Sequence, residues 1–92
     1  MLFKLTVDCV VLAYDQTLNQ LLILLTKRVK EPQLGNWVLP GGFVTQTEDF
    51  ILTAQRKLKE ETGVRDLYLE QLKAYSLTDV SMNNRIASVA FY

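Results

Sequence analysis

The sequence contains no histidine and only one cysteine, two prolines and four glycines. Without histidine, neither Ser-His nor Cys-His catalysis nor a His-based zinc site can be built. The lone Cys9 excludes an internal disulfide and fits a reducing, cytoplasmic compartment. Charge of neither sign prevails, since 10 Lys and Arg face 10 Asp and Glu, so no basic field points to nucleic-acid binding by this segment. No apolar run approaches the ~20 residues that span a bilayer, and no membrane partner is expected. What is present is a 92-residue chain, 49% hydrophobic, which allows one compact domain over residues 1–92.

Hydrophobic periodicity outlines a series of strands. Lys4 to Tyr14 reads as one strand, with Leu5, Val7, Cys9, Val11 and Ala13 on one side. Asp15 to Gln20 suits a hairpin connection, after which Leu21 to Thr26 is a short apolar run expected to pair antiparallel with the first strand. Lys27, Arg28 and Lys30 then cluster, either as an exposed strand end or as contacts to a phosphate or nucleobase. A loop over Glu31 to Asn36 leads into a short strand, Trp37-Val38-Leu39. Trp37 reads as a core or loop anchor, because one indole buries much apolar area. Gly41 and Gly42 permit a tight turn and close approach of a ligand to the backbone. Further on, Asp66 to Leu72 and Arg85 to Tyr92 alternate as strands, Ala74 to Leu77 suits another extended piece, and Asn83-Asn84 accommodates a turn.

One helix interrupts this pattern. Thr45 is followed three residues later by Glu48, a capping-box spacing that starts a helix, and Gly63 suits the left-handed position just past its end. Ile51, Ala54 and Leu58 share an apolar stripe with Phe50 at its border. Lys57, Glu60 and Glu61 fall within an arc of roughly 100° on an adjoining face. Such a charged face commonly does no more than meet solvent.

The residues before and within the helix carry more information. Leu39-Pro40-Gly41-Gly42-Phe43 leads in, and from Gly42 the chain runs through Glu48 and Arg56 to Leu58, Glu60, Glu61, Gly63 and Val64. This resembles the box of the Nudix family, written GX5EX7REUXEEXGU with U aliphatic, at eight of its nine specified positions. The resemblance implies an α/β fold of the Nudix type, an α/β/α sandwich with a mixed sheet and the box helix packed on it. It also implies that further strand and helix would follow, so the chain is expected to be C-terminally incomplete.

The ninth position departs from the family. Lys57 stands where the box has the first Glu of REUXEE, one of the carboxylates that bind a divalent metal in Nudix hydrolases together with those matched by Glu60 and Glu61. Magnesium requires hard oxygen ligands, and an ammonium supplies none. Unit charges at 4 Å interact by about 4 kcal/mol at an effective dielectric near 20, and a divalent ion doubles that, so exchanging attraction for repulsion argues against hydrolysis.

Segments outside the box, Thr6 to Val11, Asp66 to Leu72 and Arg85 to Ala90, resemble Nudix-related transcriptional regulators. The resemblance implies a domain that binds ADP-ribose or another small nucleotide effector, acts as a homodimer, and reaches DNA only through a C-terminal winged helix absent from this sequence. Arg28, Gly41, Gly42, Arg56 and Lys57 are then the expected ligand-binding residues, and no cofactor is required. The alternative is a pyrophosphohydrolase using Mg²⁺ or Mn²⁺, with Glu60 and Glu61 as its metal and catalytic carboxylates.

Overall fold

The structure, a computed structural model, describes residues 2–29, 34–79 and 84–92. Strand β1 (Leu2–Cys9) alternates Val7 and Cys9 toward the core with Lys4, Thr6 and Asp8 toward the opposite face. The single strand expected over Lys4 to Tyr14 is in fact two, because the chain changes partners. Val10 N–H donates to the Phe91 carbonyl at 2.7 Å, and the next carbonyl, of Val11, accepts from Leu24 at 3.0 Å. Strand β2 (Leu12–Asp15) then pairs with β3 (Gln20–Ile23) in the expected antiparallel hairpin. Its turn is fixed by Asp15, whose Oδ1 accepts from the amides of Thr17 and Leu18, and by Asn19 at φ 52°.

The apolar run after the hairpin is also divided. Strand β4 (Thr26–Lys27) leaves β3 and pairs with β5 (Trp37–Val38). Among the described residues no other strand joins this two-stranded ribbon, and Trp37 is 65% exposed with the Lys27 ammonium 5.9 Å from its ring centre. The expectation of a buried or anchoring indole is therefore corrected. Strand β6 (Gly41–Phe43) returns antiparallel to β1, which places Gly41 and Gly42 in a strand and not in the tight turn expected of them.

Helix α1 (Phe50–Thr62) packs on one face of the sheet through Ala54 and Leu58 with Phe50 at the margin, as the periodicity indicates, while Ile51, expected within the stripe, is only partly buried. They meet Val7 and Cys9 of β1, Leu69, and Val89 and Phe91 of β8 (Asn84–Phe91). Burying each of the larger aliphatic side chains contributes about 1.5–3 kcal/mol. Gly63 closes the helix at φ 78°, its N–H donating to the Lys59 carbonyl at 2.9 Å.

The helix start differs from expectation. The N-cap is Asp49, whose Oδ1 accepts from Leu52 N–H at 2.9 Å, and Thr45 lies in a turn ahead of it. Glu48 cannot serve as the reciprocal half of a box beginning at Thr45, because its carboxylate folds forward over the helix. There it accepts from Arg56 Nε at 2.7 Å, Arg56 Nη2 at 3.0 Å and Thr53 Oγ1 at 3.1 Å. It also accepts from the Thr45 hydroxyl at 2.9 Å, which is thereby spent on a carboxylate and not on a helical amide. The Arg56 guanidinium and the neighbouring hydroxyls hold the Glu48 carboxyl down at about 2, against an ordinary 4.5.

The strand expected from Asp66 begins later. Asp66 adopts φ 59°, Leu67 and Leu69 turn inward, and Glu70 exchanges both backbone hydrogen bonds with Tyr92 before β7 (Gln71–Asp79) starts. The turn expected around Asn83-Asn84 lies partly outside the described residues, Asn84 itself opening β8. The main sheet has the order β6-β1-β8-β7 and is mixed, β1 and β8 being parallel. Strand β8 is thus flanked on both sides. The α/β class with the box helix on a mixed sheet stands; among the described residues α1 is the one helix, so the second helical layer of the expected sandwich is not among them. No helix among them is long and apolar enough to cross a membrane.

Two outcomes test this account. Asp49→Ala is expected to cost about 1 kcal/mol in urea unfolding and Thr45→Ala less, since only Asp49 caps a helical amide. Because the Glu48 carboxyl is depressed in the folded state, its stabilisation is complete above pH 4.5 and is lost as pH falls toward about 2. Glu48→Gln is expected to flatten the decline of the unfolding midpoint across that window.

Candidate functional site

The site is built around the two glycines of β6. A Cβ added at Gly41 would stand 2.1 Å from the Val7 carbonyl oxygen, and one at Gly42 would stand 2.6 Å from Lys57 Cε. The first contact is with backbone that cannot move aside, so only glycine fits at position 41; the second is with the end of a flexible side chain, so a side chain at position 42 would displace Lys57. Glu61, at the far end of α1, ties the helix to this strand by accepting from Gly41 N–H at 2.8 Å.

Lys57 lies across Gly42, half-buried, with its Nζ 3.6 Å from Glu60 Oε2. Glu60 also accepts from Arg56 Nη1 at 3.2 Å, so one carboxylate serves two cations. Arg28 approaches from the other side. Its backbone is anchored to the 34–36 loop, donating to Asn36 and accepting from Gly35, both at 2.9 Å.

Two adjoining cavities meet here. One of about 300 Å³ is lined by Lys27, Arg28, Val29, Gly41, Gly42, Phe43, Lys57 and Glu61. The other, about 430 Å³, shares Arg28, Gly41, Gly42, Phe43 and Glu61 and continues over the sheet to Thr6, Asp8 and Tyr75. The structure therefore brings together Arg28, Gly41, Gly42, Lys57 and Glu61. It does not bring Arg56 to them. Arg56 borders a wider depression of about 580 Å³ on the other side of α1, with Glu48, Leu52 and Lys59, where no glycine strand or box carboxylate beyond Glu48 takes part. Glu60 lines neither of the two adjoining cavities and sits between Arg56 and Lys57.

Sequence reasoning missed Asp8 and Tyr75. Asp8 Oδ2 accepts from Ser88 Oγ at 2.9 Å and from the Tyr75 hydroxyl, joining β1, β8 and β7 on the sheet face away from α1. Burial, and then the hydrogen bond to Asp8, raise the Tyr75 hydroxyl above its ordinary value, so it stays a proton donor at neutral pH. Asp8 was findable, being the acidic member of the Lys4, Thr6, Asp8 alternation. Tyr75 carries no such signal, since its partner is 67 residues away.

A divalent cation would have to be held at the box face of α1. Among the described residues no group of three or more His, Cys, Asp or Glu side chains is placed to hold one. Glu60 is paired with two cations and the Lys57 ammonium stands beside it, so the two box carboxylates do not by themselves form an oxygen cage.

Residues 2–91 match the NUDIX domain family. The ADPR responsive transcriptional repressor NtrR of Acinetobacter baylyi is 46% identical over 69 residues, 73% of this chain and 27% of that protein. An ADP-ribose pyrophosphatase of Methanocaldococcus jannaschii is 38% identical over 69 residues, 75% of this chain and 41% of that protein. The NUDIX domain of Shewanella oneidensis NrtR, solved in complex with ADP ribose, superposes with a TM-score of 0.86 at 36% identity, covering 99% of this chain and 59% of that one. The chain thus spans less than half the length of the curated relatives it matches. With residues 2–91 matched by the family and 99% of the chain superposed on a solved member, the chain belongs to the NUDIX domain family.

Proposed function

We propose that this domain binds ADP-ribose, or a related nucleotide-sugar effector, without cleaving it, as the sensing part of a transcriptional regulator. The observation that carries the reading is the ammonium of Lys57 laid across Gly42. It places a fixed positive charge on the face where a hydrolase of this family needs a third carboxylate. Lys57 and Arg28 are then the phosphate-facing cations, and the backbone of Gly41 and Gly42 gives the ligand close approach. The likeness to a repressor responsive to ADPR supports the regulatory half of the proposal. In that setting DNA is contacted by a further domain, and the effector acts by favouring one arrangement of a homodimer over another.

The likeness to an ADP-ribose pyrophosphatase favours a second reading, metal-dependent hydrolysis of the same class of ligand. It requires Glu60 and Glu61 to leave their present partners for Mg²⁺ or Mn²⁺. When bound, such a metal would polarise the pyrophosphate and activate water. The residues around Lys57 do not favour that arrangement.

Calorimetric titration with ADP-ribose separates the two. Binding of equal strength in EDTA and in Mg²⁺, with no AMP released on prolonged incubation with Mg²⁺ or Mn²⁺, is the expected result. Turnover that survives Lys57→Ala would overturn the proposal. Lys57→Glu is expected to tighten Mg²⁺ binding more than tenfold, since it replaces repulsion by attraction at the same place.

A further inference from the structure

The carboxylate of Asp8 has no part in the Nudix box, yet it stands over the larger of the two adjoining cavities. Its Oδ2 takes donors from two other strands, Ser88 of β8 and Tyr75 of β7. Ser88 is 2% exposed, so this side of the carboxylate is fixed from beneath. A carboxylate provides about four acceptor positions, and the two hydroxyls use those of Oδ2. Oδ1 lies on the β6 side, 3.1 Å from where a Cβ of Gly41 would be, and a side chain there would crowd it.

Successive residues of β6 face opposite sides of the sheet, which gives the site two halves. Gly42 faces α1 and Lys57, whereas Gly41 pairs with Asp8 in register. Arg28 lines both cavities. Lys27 and Lys57 line only the first cavity and Asp8 and Tyr75 only the second, so positive charge is denser at one half, and an acceptor held by two hydroxyl donors waits at the other. A phosphate is therefore favoured at the first half over the second, where it would meet the Asp8 carboxylate.

Resting on the reading of the domain as a nucleotide-sugar binder, we infer that Asp8 is a hydroxyl-recognising residue that accepts from a sugar diol of the ligand. Tyr75 and Ser88 act as positioning residues that hold its carboxylate for that contact. The ligand wraps the β6 edge with its phosphates toward Arg28 and Lys57 and a ribose over Asp8.

The test is calorimetric titration of wild type, Asp8→Asn and Tyr75→Phe with ADP-ribose, with analogues deoxygenated at either ribose, and with inorganic pyrophosphate. Asp8→Asn is expected to weaken ADP-ribose binding ~10- to 100-fold, the range of a hydrogen bond to a charged group, and to leave pyrophosphate binding unchanged or tighter. One deoxygenated analogue should bind wild type at least tenfold more weakly than ADP-ribose does, and that discrimination should vanish in Asp8→Asn and shrink in Tyr75→Phe. A purely structural Asp8 would weaken all ligands alike and lower the melting temperature without altering discrimination, which overturns the inference. Discrimination that is the same in wild type and Asp8→Asn also overturns it. Wild type binding no ADP-ribose at all would instead remove the underlying reading of the domain.

Discussion

Two residues without side chains, pressed between a carbonyl and a lysine stem, set the geometry of everything around them. Gly41 lies against the Val7 backbone, which cannot move without breaking the pairing of β1 with β6. Gly42 lies under the methylenes of Lys57, which rest directly on its backbone. Because β6 sits this close, the Gly41 amide can reach Glu61, and the Pro40 carbonyl can accept from Cys9 N–H at 2.8 Å. The cavities on either side exist because the strand dividing them is thin.

The box helix keeps its structural and its chemical residues apart. Glu48 and Arg56 lock the turn before the helix to its second and third turns, Leu58 fills the core, and Gly63 stops the helix. None of these tasks involves Lys57. A lysine at that position therefore leaves the fold intact while changing the charge of the adjoining face. The buried thiol of Cys9, pushed up to about 11 chiefly by burial, likewise takes part only in packing, with its Sγ 3.8 Å from the Ala54 carbonyl. The core is built to be indifferent to what the box face does.

Much of this was readable from residue order. The stripe of Ala54 and Leu58, the left-handed Gly63, the hairpin between Asp15 and Gln20, and the meeting of Arg28, Gly41, Gly42 and Lys57 all follow from short-range patterns or from a motif with fixed gaps. What escaped depends on long-range partners. The Val10-Val11 break occurs because β1 is paired by β8 and β2 by β3, and apolar alternation continues unchanged through the switch. Trp37 is exposed because its ribbon has no covering layer among the described residues, a fact no local composition reveals. The true N-cap was hidden by Glu48, whose carboxylate prefers a guanidinium two turns on to a backbone amide behind it. Asp8 and Tyr75 meet only when β7 and β8 are laid beside β1.

The position of β8 between β1 and β7 has a consequence for how the chain is made. Leu2 pairs with Asn84 and Cys9 with Phe91, so β1 waits while 82 further residues are made before its parallel neighbour exists. At about 5–20 residues per second that interval is on the order of seconds, long compared with helix or hairpin formation. Throughout it, Val7 and Cys9 lack the Val89 and Phe91 side chains that complete their packing. The β2–β3 hairpin and α1 can form locally in the meantime, whereas joining β1 to β8 must close a long loop, the kind of non-local pairing that forms slowly.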